Sequence, residues 1–223
     1  MKKLVILAAA GAISVAAQTA GAATISYMHS FGQSTTDWSD SWAIQQFDSS
    51  LGTLNSVKVD LFGHVTAAAS VENRSATSVS AHVDLKSQVS VTTAGGLPIV
   101  QVNPELDRTY ALGGFDGIVD FAGNSGVSTG DLFFNDMNSS VLTGADLAQF
   151  IGAGTISIFV VATGVSFAQG GGNLLTYFSN QAGADFTVTY DYTAPPAVPL
   201  PASAPLLLGG LFLLRRLRRG NKA

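Results

Sequence analysis

Apolar and polar residues alternate through the middle of the chain with the period of two that β-strands show. In Val57–Val65 the apolar side chains fall on one face, and Lys58, Asp60 and His64 fall on the other. Val79–Val91 continues the same alternation over a longer run. A strand that is buried on one face and solvated on the other has this pattern, so both segments are predicted to be antiparallel strands.

Shorter runs of β-branched and aromatic residues predict further strands. Three of them are Thr24–Phe31, Thr155–Phe167 and Phe186–Tyr192. Fainter alternation predicts three more, at Leu97–Val102, Gly117–Phe121 and Leu174–Phe178. Glycine-rich turns separate these runs, and glycine permits the backbone angles that tight turns between neighbouring strands need.

One short helix is predicted, of one or two turns over Gly144–Ile151. Thr143 stands at its N-cap, and Asp146 follows three residues later as in a capping box. Many short strands with a single short helix predict an all-β fold, an antiparallel β-sandwich of jelly-roll-like form over residues 24–194.

The first 23 residues have the features of a cleavable secretory signal peptide. Lys2 and Lys3 form a charged start, and Leu4–Ala17 is an apolar stretch. Small residues suited to signal peptidase then follow at Ala20, Ala22 and Ala23. Cleavage is expected after Ala22 or Ala23, which predicts an exported protein.

The other end of the chain combines a proline-rich linker, residues 195–203, with a hydrophobic segment, residues 204–223. Ala204–Leu214 contains no charge, and a basic stop follows it at Arg215, Arg216, Arg218 and Arg219. As a helix at about 1.5 Å per residue, this apolar run spans roughly half of a hydrocarbon core about 30 Å thick. We therefore expect a short C-terminal helix that holds the chain transiently in the inner membrane.

The linker carries a motif at Val198, Pro199, Leu200, Pro201 and Ala202. With the apolar run and the arginines, it resembles the Val-Pro-Leu-Pro-Ala variant of the PEP-CTERM class of bacterial sorting signals. That resemblance implies recognition by an exosortase, a membrane-embedded cysteine transpeptidase of Gram-negative envelopes. The enzyme is expected to cut near the motif and pass the protein to a surface anchor.

The body of the chain resembles a second family, the choice-of-anchor E domain. The resemblance lies in segments such as Ala23–Tyr27, Gln46–Val57, Ala69–Asn73 and Thr187–Tyr192. Members of that family are exported bacterial proteins that end in one or another surface-sorting signal. The resemblance implies location and architecture, and it implies no reaction.

Removal of both terminal segments changes the charge of the protein. The remaining cations are Lys58, Arg74, Lys86 and Arg108, against all 15 acidic residues, which gives a net charge of −11. So acidic a domain is unsuited to nucleic acid or anionic lipid. The absence of cysteine excludes disulfides and thiol catalysis, so a hydrophobic core must supply the stability.

Candidate catalytic and metal-binding residues are few. His64 and His82 lie on the polar faces of two consecutive predicted strands and would form a metal-binding pair if those strands were paired; surface positions are the preferred interpretation. His29 shares a face with apolar residues and is expected to be buried or at an edge. No nucleophile elbow and no Ser-His-Asp triad can be assembled from the spacing. No catalytic residue is predicted.

Calcium is a further alternative, because acidic and amide side chains gather in glycine-rich sequence. They are Asp116, Asp120, Asn124, Asp131, Asn135 and Asp136. Calcium takes oxygen ligands from such loops, but no Asp-x-Asp-x-Asp-Gly loop is present. Solvated loop acids are the preferred interpretation, and no cofactor is predicted.

Trp38 and Trp42 give one functional alternative. Exposed indoles stack on sugars, whereas ordinary packing in the core or at an edge is the preferred interpretation. The sequence therefore predicts a non-catalytic structural protein, sorted to the cell surface and associated with an extracellular polysaccharide or biofilm matrix by what the sorting signal implies. The alternative is a carbohydrate- or ligand-binding module that uses the two tryptophans.

Overall fold

A computed structural model describes residues 21–196, which contain eleven β-strands and two short 3₁₀ helices. The helices are Ser49–Leu51 and Gly144–Phe150. The strands are β1 (Ala22–Thr35), β2 (Trp38–Gln45), β3 (Thr53–Asn73), β4 (Val79–Thr93), β5 (Pro98–Val102), β6 (Glu105–Leu112), β7 (Gly126–Ser128), β8 (Leu132–Leu142), β9 (Thr155–Gly164), β10 (Phe167–Gly170) and β11 (Leu174–Thr193).

The strands form two sheets in which every strand pair is antiparallel. In the first sheet the order is β1, β11, β3, with β7 and β8 following one another along the far edge of β3. In the second sheet β2 pairs with β9, while β9 and β10 share one edge of β4, and β5 and β6 share its other edge. The chain crosses repeatedly between the sheets, in the strand order of a jelly roll. The predicted antiparallel sandwich is confirmed.

The core lies between the two sheets and is built from alternate residues of the long strands. On β3, Val57, Val59 and Leu61 are almost fully buried, and on β4 Val83 and Leu85 are buried in the same way. The intervening residues face outward, as the period of two predicts. The buried faces of β3 and β4 are therefore those that the alternation in Val57–Val65 and Val79–Val91 predicts.

Two of the predicted elements are wrong in part or altogether. Gly117–Phe121 is a loop, because the carboxylates of Asp116 and Asp120 accept hydrogen bonds from backbone N–H groups two residues on, which fold the chain into local turns. Thr155–Phe167 is interrupted between β9 and β10, where the N–H of Val165 bonds instead to the carbonyl of Lys86.

The predicted short helix is present as the 3₁₀ helix Gly144–Phe150. Thr143 occupies its N-cap position, but its side chain makes no capping hydrogen bond, so the capping-box interpretation is wrong. Leu147 and Phe150 are buried and fasten the helix to the core. Packing, rather than a cap, therefore holds this turn in place.

The first strand begins at Ala22 and the last strand ends at Thr193, and the chain between these residues forms one compact unit. β1 starts at the predicted signal-peptidase site, and Ala22 lies opposite Thr193 on β11. Nearly all of the predicted signal peptide, the sorting motif Val198–Ala202 and the segment 204–223 lie outside the described residues. Within 21–196, no helix has the length and apolar character needed to cross a membrane.

Candidate functional site: a groove on the outer face of the first sheet

A groove of about 720 Å³ lies on the outer face of the first sheet. Four neighbouring strands, β1, β11, β3 and β8, build it, and their register sets its side chains in two rows across the sheet. One row is Ser30, Asp185, Phe62 and Met137, and the next row is Met28, Thr187, Asp60 and Ser139. The groove is thus a two-by-four array that the strand pairing alone defines.

Each margin of the groove carries one methionine and one serine, and the strands between them carry both acidic and apolar side chains. Met28 on β1 and Met137 on β8 are 75% and 73% exposed, although large apolar side chains usually avoid such positions. Phe62 on β3 is half-buried between them. Because successive residues of a strand point to opposite faces, none of these three side chains can reach the core.

Two carboxylates face the groove. The Asp60 carboxylate lies 2.7 Å from the Lys58 ammonium, and the Asp185 carboxylate accepts a hydrogen bond from the Ser30 hydroxyl. His64 Nδ1 is 3.6 Å from Asp185 Oδ2, beyond hydrogen-bond distance. Both carboxylates are nearly half exposed, with side-chain exposures of 43% and 47%. The groove therefore presents acidic groups to solvent beside an apolar surface.

Individual apolar side chains are also exposed on the same sheet face outside the groove. Phe133 and Val141 on β8 and Leu175 and Tyr177 on β11 also point outward and are exposed. Sequence reasoning predicted neither β8 nor this face. His64, Asn135 and Gln181 lie between the groove and Tyr177 in the strand register, so these apolar side chains are scattered over the face and do not form one patch with the groove.

The structure does not bring the two surface histidines together. His64 lies on β3 in the first sheet and His82 lies on β4 in the second sheet. The metal pair required those consecutive strands to be neighbours, so that hypothesis is wrong. Each imidazole instead faces a carboxylate: His82 Nδ1 is 3.2 Å from Asp107 Oδ1, and His64 faces Asp185.

The two tryptophans are half-buried and pack against the core. Trp38 donates its indole N–H to the carbonyl of Ala182, at 2.9 Å. The Trp42 ring stacks on His29, with centroids 4.9 Å apart, and meets the edge of Phe186 at 5.3 Å. Sugar stacking needs a free ring face, and His29 occupies one face of Trp42. Trp38 and Trp42 therefore have the packed positions at the edge of the core that were the preferred interpretation of the sequence.

The residues named for the calcium alternative are spread over a loop and a strand. Asp116 and Asp120 bond to backbone N–H groups of their own loop, and Asp136 on β8 accepts from the N–H of Asn103 at 2.9 Å. Asn124 lies in the same loop, whereas Asp131 and Asn135 lie at or near the start of β8. Across residues 21–196, no three His, Asp or Glu side chains are grouped to hold a metal ion.

A second group of charges lies on the outer face of the second sheet. Asp84 is 7% exposed, and neither hydrogen bond nor ion pair partners its Oδ1 atom among the described residues. Burial raises the pKa of Asp84, and the nearby Glu105 and Asp107 carboxylates raise it further. Lys86 bonds to Glu105 at 2.8 Å, which raises the lysine pKa. The alternation in Val79–Val91 predicts a solvated face for Asp84, but the residue is buried because Phe167 on β10 and Asp107 on β6 lie opposite it.

No protein-family model matches the chain, and no curated protein matches it. Among solved structures, the infectious bursal disease virus Gt strain is 14% identical, with 92% of this chain and 52% of that chain covered and a TM-score of 0.21. The VP2 subviral particle of that virus is 14% identical over 92% and 51%, with a TM-score of 0.24. Desmodium yellow mottle tymovirus is 13% identical over 90% and 100%, with a TM-score of 0.15. The chain thus spans about half the length of the first of these, and such low scores carry no argument about function.

Proposed function

We propose that this chain is an exported, non-catalytic structural protein that is sorted to the surface of a Gram-negative envelope and contributes to an extracellular polysaccharide matrix. The proposal that the protein is non-catalytic is supported by the open form of the groove on the outer face of the first sheet. The groove on this face is open, a methionine stands at each of its margins, and its acidic groups face solvent. A surface of this kind is suited to contact rather than to enclosing a reacting group.

Export and sorting rest on the two terminal sequence segments. The register supports them in one respect: Ala22 lies opposite Thr193, so the two predicted cleavage regions are attached to neighbouring strand ends. Cleavage on both sides would leave the paired strands β1 and β11 essentially whole. The sandwich would then persist after processing.

The proposal is tested in the native host by fractionation of cells that carry the wild-type chain or a Pro199→Ala/Pro201→Ala variant. Wild-type protein is expected at the surface and in the extracellular matrix fraction. The variant is expected to stay at full length in the inner membrane, because the sorting motif is damaged. Wild-type protein that remains in the cytoplasm with its first 23 residues attached would overturn the proposal.

A binding module is the second candidate function, and the groove is the observation that favours it. The two tryptophans do not supply its site, since both pack against the core. A glycan array tests the carbohydrate form of this candidate. Specific binding that Phe62→Ala abolishes would favour a module that uses the groove, and binding lost only in Trp42→Ala would restore the tryptophan site.

A further inference from the structure

We propose that the groove binds an organic ammonium ion that carries an apolar body. The ammonium group lies over the ring of Phe62, between the carboxylates of Asp60 and Asp185. The apolar body lies between Met28 and Met137. This ligand class goes beyond the structural role proposed above and does not depend on export or sorting.

The positions of the Asp60 and Asp185 carboxylates relative to Phe62 support binding of the ammonium group of the ligand. Asp185 pairs directly with Phe62 across β11 and β3, and Asp60 precedes Phe62 by two residues on the same face of β3. Directly opposed side chains have Cβ atoms about 5 Å apart, and the i, i+2 neighbours of a strand are about 7 Å apart. His64 stacks on one face of the Phe62 ring, with centroids 6.0 Å apart, so the cation takes the other face, within about 6 Å of the ring centroid and within reach of both carboxylates.

Charge complementarity decides which occupant the groove takes. The described residues carry four Lys and Arg against 15 acidic residues, and the groove follows that balance. An anionic ligand would meet Asp60 and Asp185, and a neutral apolar ligand would strip water from both without replacing it. An ammonium ion offsets that cost, because its positive charge attracts both carboxylates.

Met28 and Met137 are placed to contact the apolar body of the ligand. Met137 pairs with Phe62 across β3 and β8, and Met28 lies across the groove in the neighbouring row. Methionine side chains are flexible and polarisable, so they adapt to ligands of different shape. A volume of about 720 Å³ is that of a site for a small organic molecule.

Lys58 is the competitor for the same position. Its ammonium lies 2.7 Å from Asp60 Oδ1, but both side chains are more than 40% exposed, and such surface pairs hold together weakly. A ligand ammonium that is also in contact with Phe62 and Asp185 can displace it. Lys58→Gln should therefore tighten binding, an effect that a merely structural role for Lys58 would not produce.

The methionines also supply the assay. The chain has three, Met1, Met28 and Met137, so labelling with [methyl-¹³C]methionine reports on the groove through two of its three resonances. The experiment uses the full chain in a nonionic detergent, with Met28→Leu and Met137→Leu to assign the signals. The probe is benzyltrimethylammonium, and 3-phenylpropionate is its anionic counterpart.

Saturable shifts of the Met28 and Met137 methyls, without a shift of Met1, are expected with benzyltrimethylammonium alone. The Asp60→Asn/Asp185→Asn variant should weaken binding about tenfold or more, because both negative charges that attract the quaternary ammonium are removed. Asp191→Asn, a carboxylate on the same face of β11 outside the groove, is the matched control and should bind as the wild type does. The proposal is overturned by equal binding of the anion, by unchanged binding in the double variant, or by the absence of saturable shifts.

Discussion

Tyr190→Phe offers a direct test of how the two sheets are joined. Tyr190 lies on β11 in the first sheet, is fully buried, and donates its hydroxyl to the backbone carbonyl of Gln45 on β2 in the second sheet, at 2.9 Å. Its ring meets Tyr27, Phe47 and Phe150 edge-on at 5.7 to 6.3 Å. The substitution keeps these ring contacts and removes one hydrogen bond between the sheets, while the bond from Trp38 on β2 to Ala182 on β11 remains.

The expected loss follows from that single bond. An intramolecular hydrogen bond contributes about 1 kcal/mol to the free energy of unfolding. We therefore expect Tyr190→Phe to cost about 1 kcal/mol, a fall of about 2–4 °C in Tm for a domain of this size. Tyr190→Ala, which also empties the ring site, should cost about 3–5 kcal/mol.

The same burial predicts a pH dependence. Desolvation raises the pKa of the Tyr190 phenol above its ordinary value of 10.0. The unfolded chain then ionises first, so the stability due to the neutral phenol is complete below pH 10 and is lost as the pH rises toward the folded-state pKa. The Tyr190→Phe variant has no phenol to ionise at this position. The difference in free energy of unfolding between the wild type and the variant should therefore shrink above pH 10.

Urea denaturation followed by circular dichroism measures these differences, with Tyr177→Phe as the matched control. Tyr177 is 64% exposed on the outer face, and its hydroxyl makes no hydrogen bond within the described residues, so its loss should change stability by less than about 0.5 kcal/mol. Equal costs for the two variants would refute the reasoning. So would a Tyr190→Phe variant as stable as the wild type at pH 7.

Three further substitutions test other parts of the fold by thermal denaturation. Gly126→Ala should cost more than about 2 kcal/mol, because its Cβ would meet backbone atoms of the preceding loop, whereas Gly32→Ala, with open space, should be nearly neutral. Asp84→Asn should raise Tm at pH 7 and lose that gain as the pH falls toward the ordinary aspartate range, because the raised pKa makes the ionised form costly only above it. Trp42→Ala should cost about 2–4 kcal/mol through lost packing, and a variant that unfolds like the wild type would contradict the packed position of this ring.

The sequence predicts the buried faces of β3 and β4 because one side of each strand meets the core and the other meets water. β8 does not show this pattern of an apolar inward side and a polar outward side. Its inward side carries Asp136 and Asn138, which bond to the backbone of residues 101–103, while its outward side carries Phe133 and Met137. Polar residues inside and apolar residues outside hide the strand from an alternation test, and one of the four strands that build the groove is hidden with it.

The histidine pair failed for a topological reason. Consecutive strands of a meander are neighbours, and the alternation in β3 and β4 is the same whether they pair or cross between sheets. In a jelly roll they cross, and the long-range pairing of β3 with β11 takes the place of a hairpin. Local pattern cannot distinguish these cases, so no arrangement of side chains across strands could be predicted from it.

The most direct test of the proposed function is the intact mass of the surface-exposed protein from its native host. We expect a species that begins at Ala23 or Thr24 and ends near Val198–Ala202, with any added mass identifying the surface anchor. A surface species that still carries Arg215–Ala223 would contradict processing and, with it, the proposed sorting of this protein.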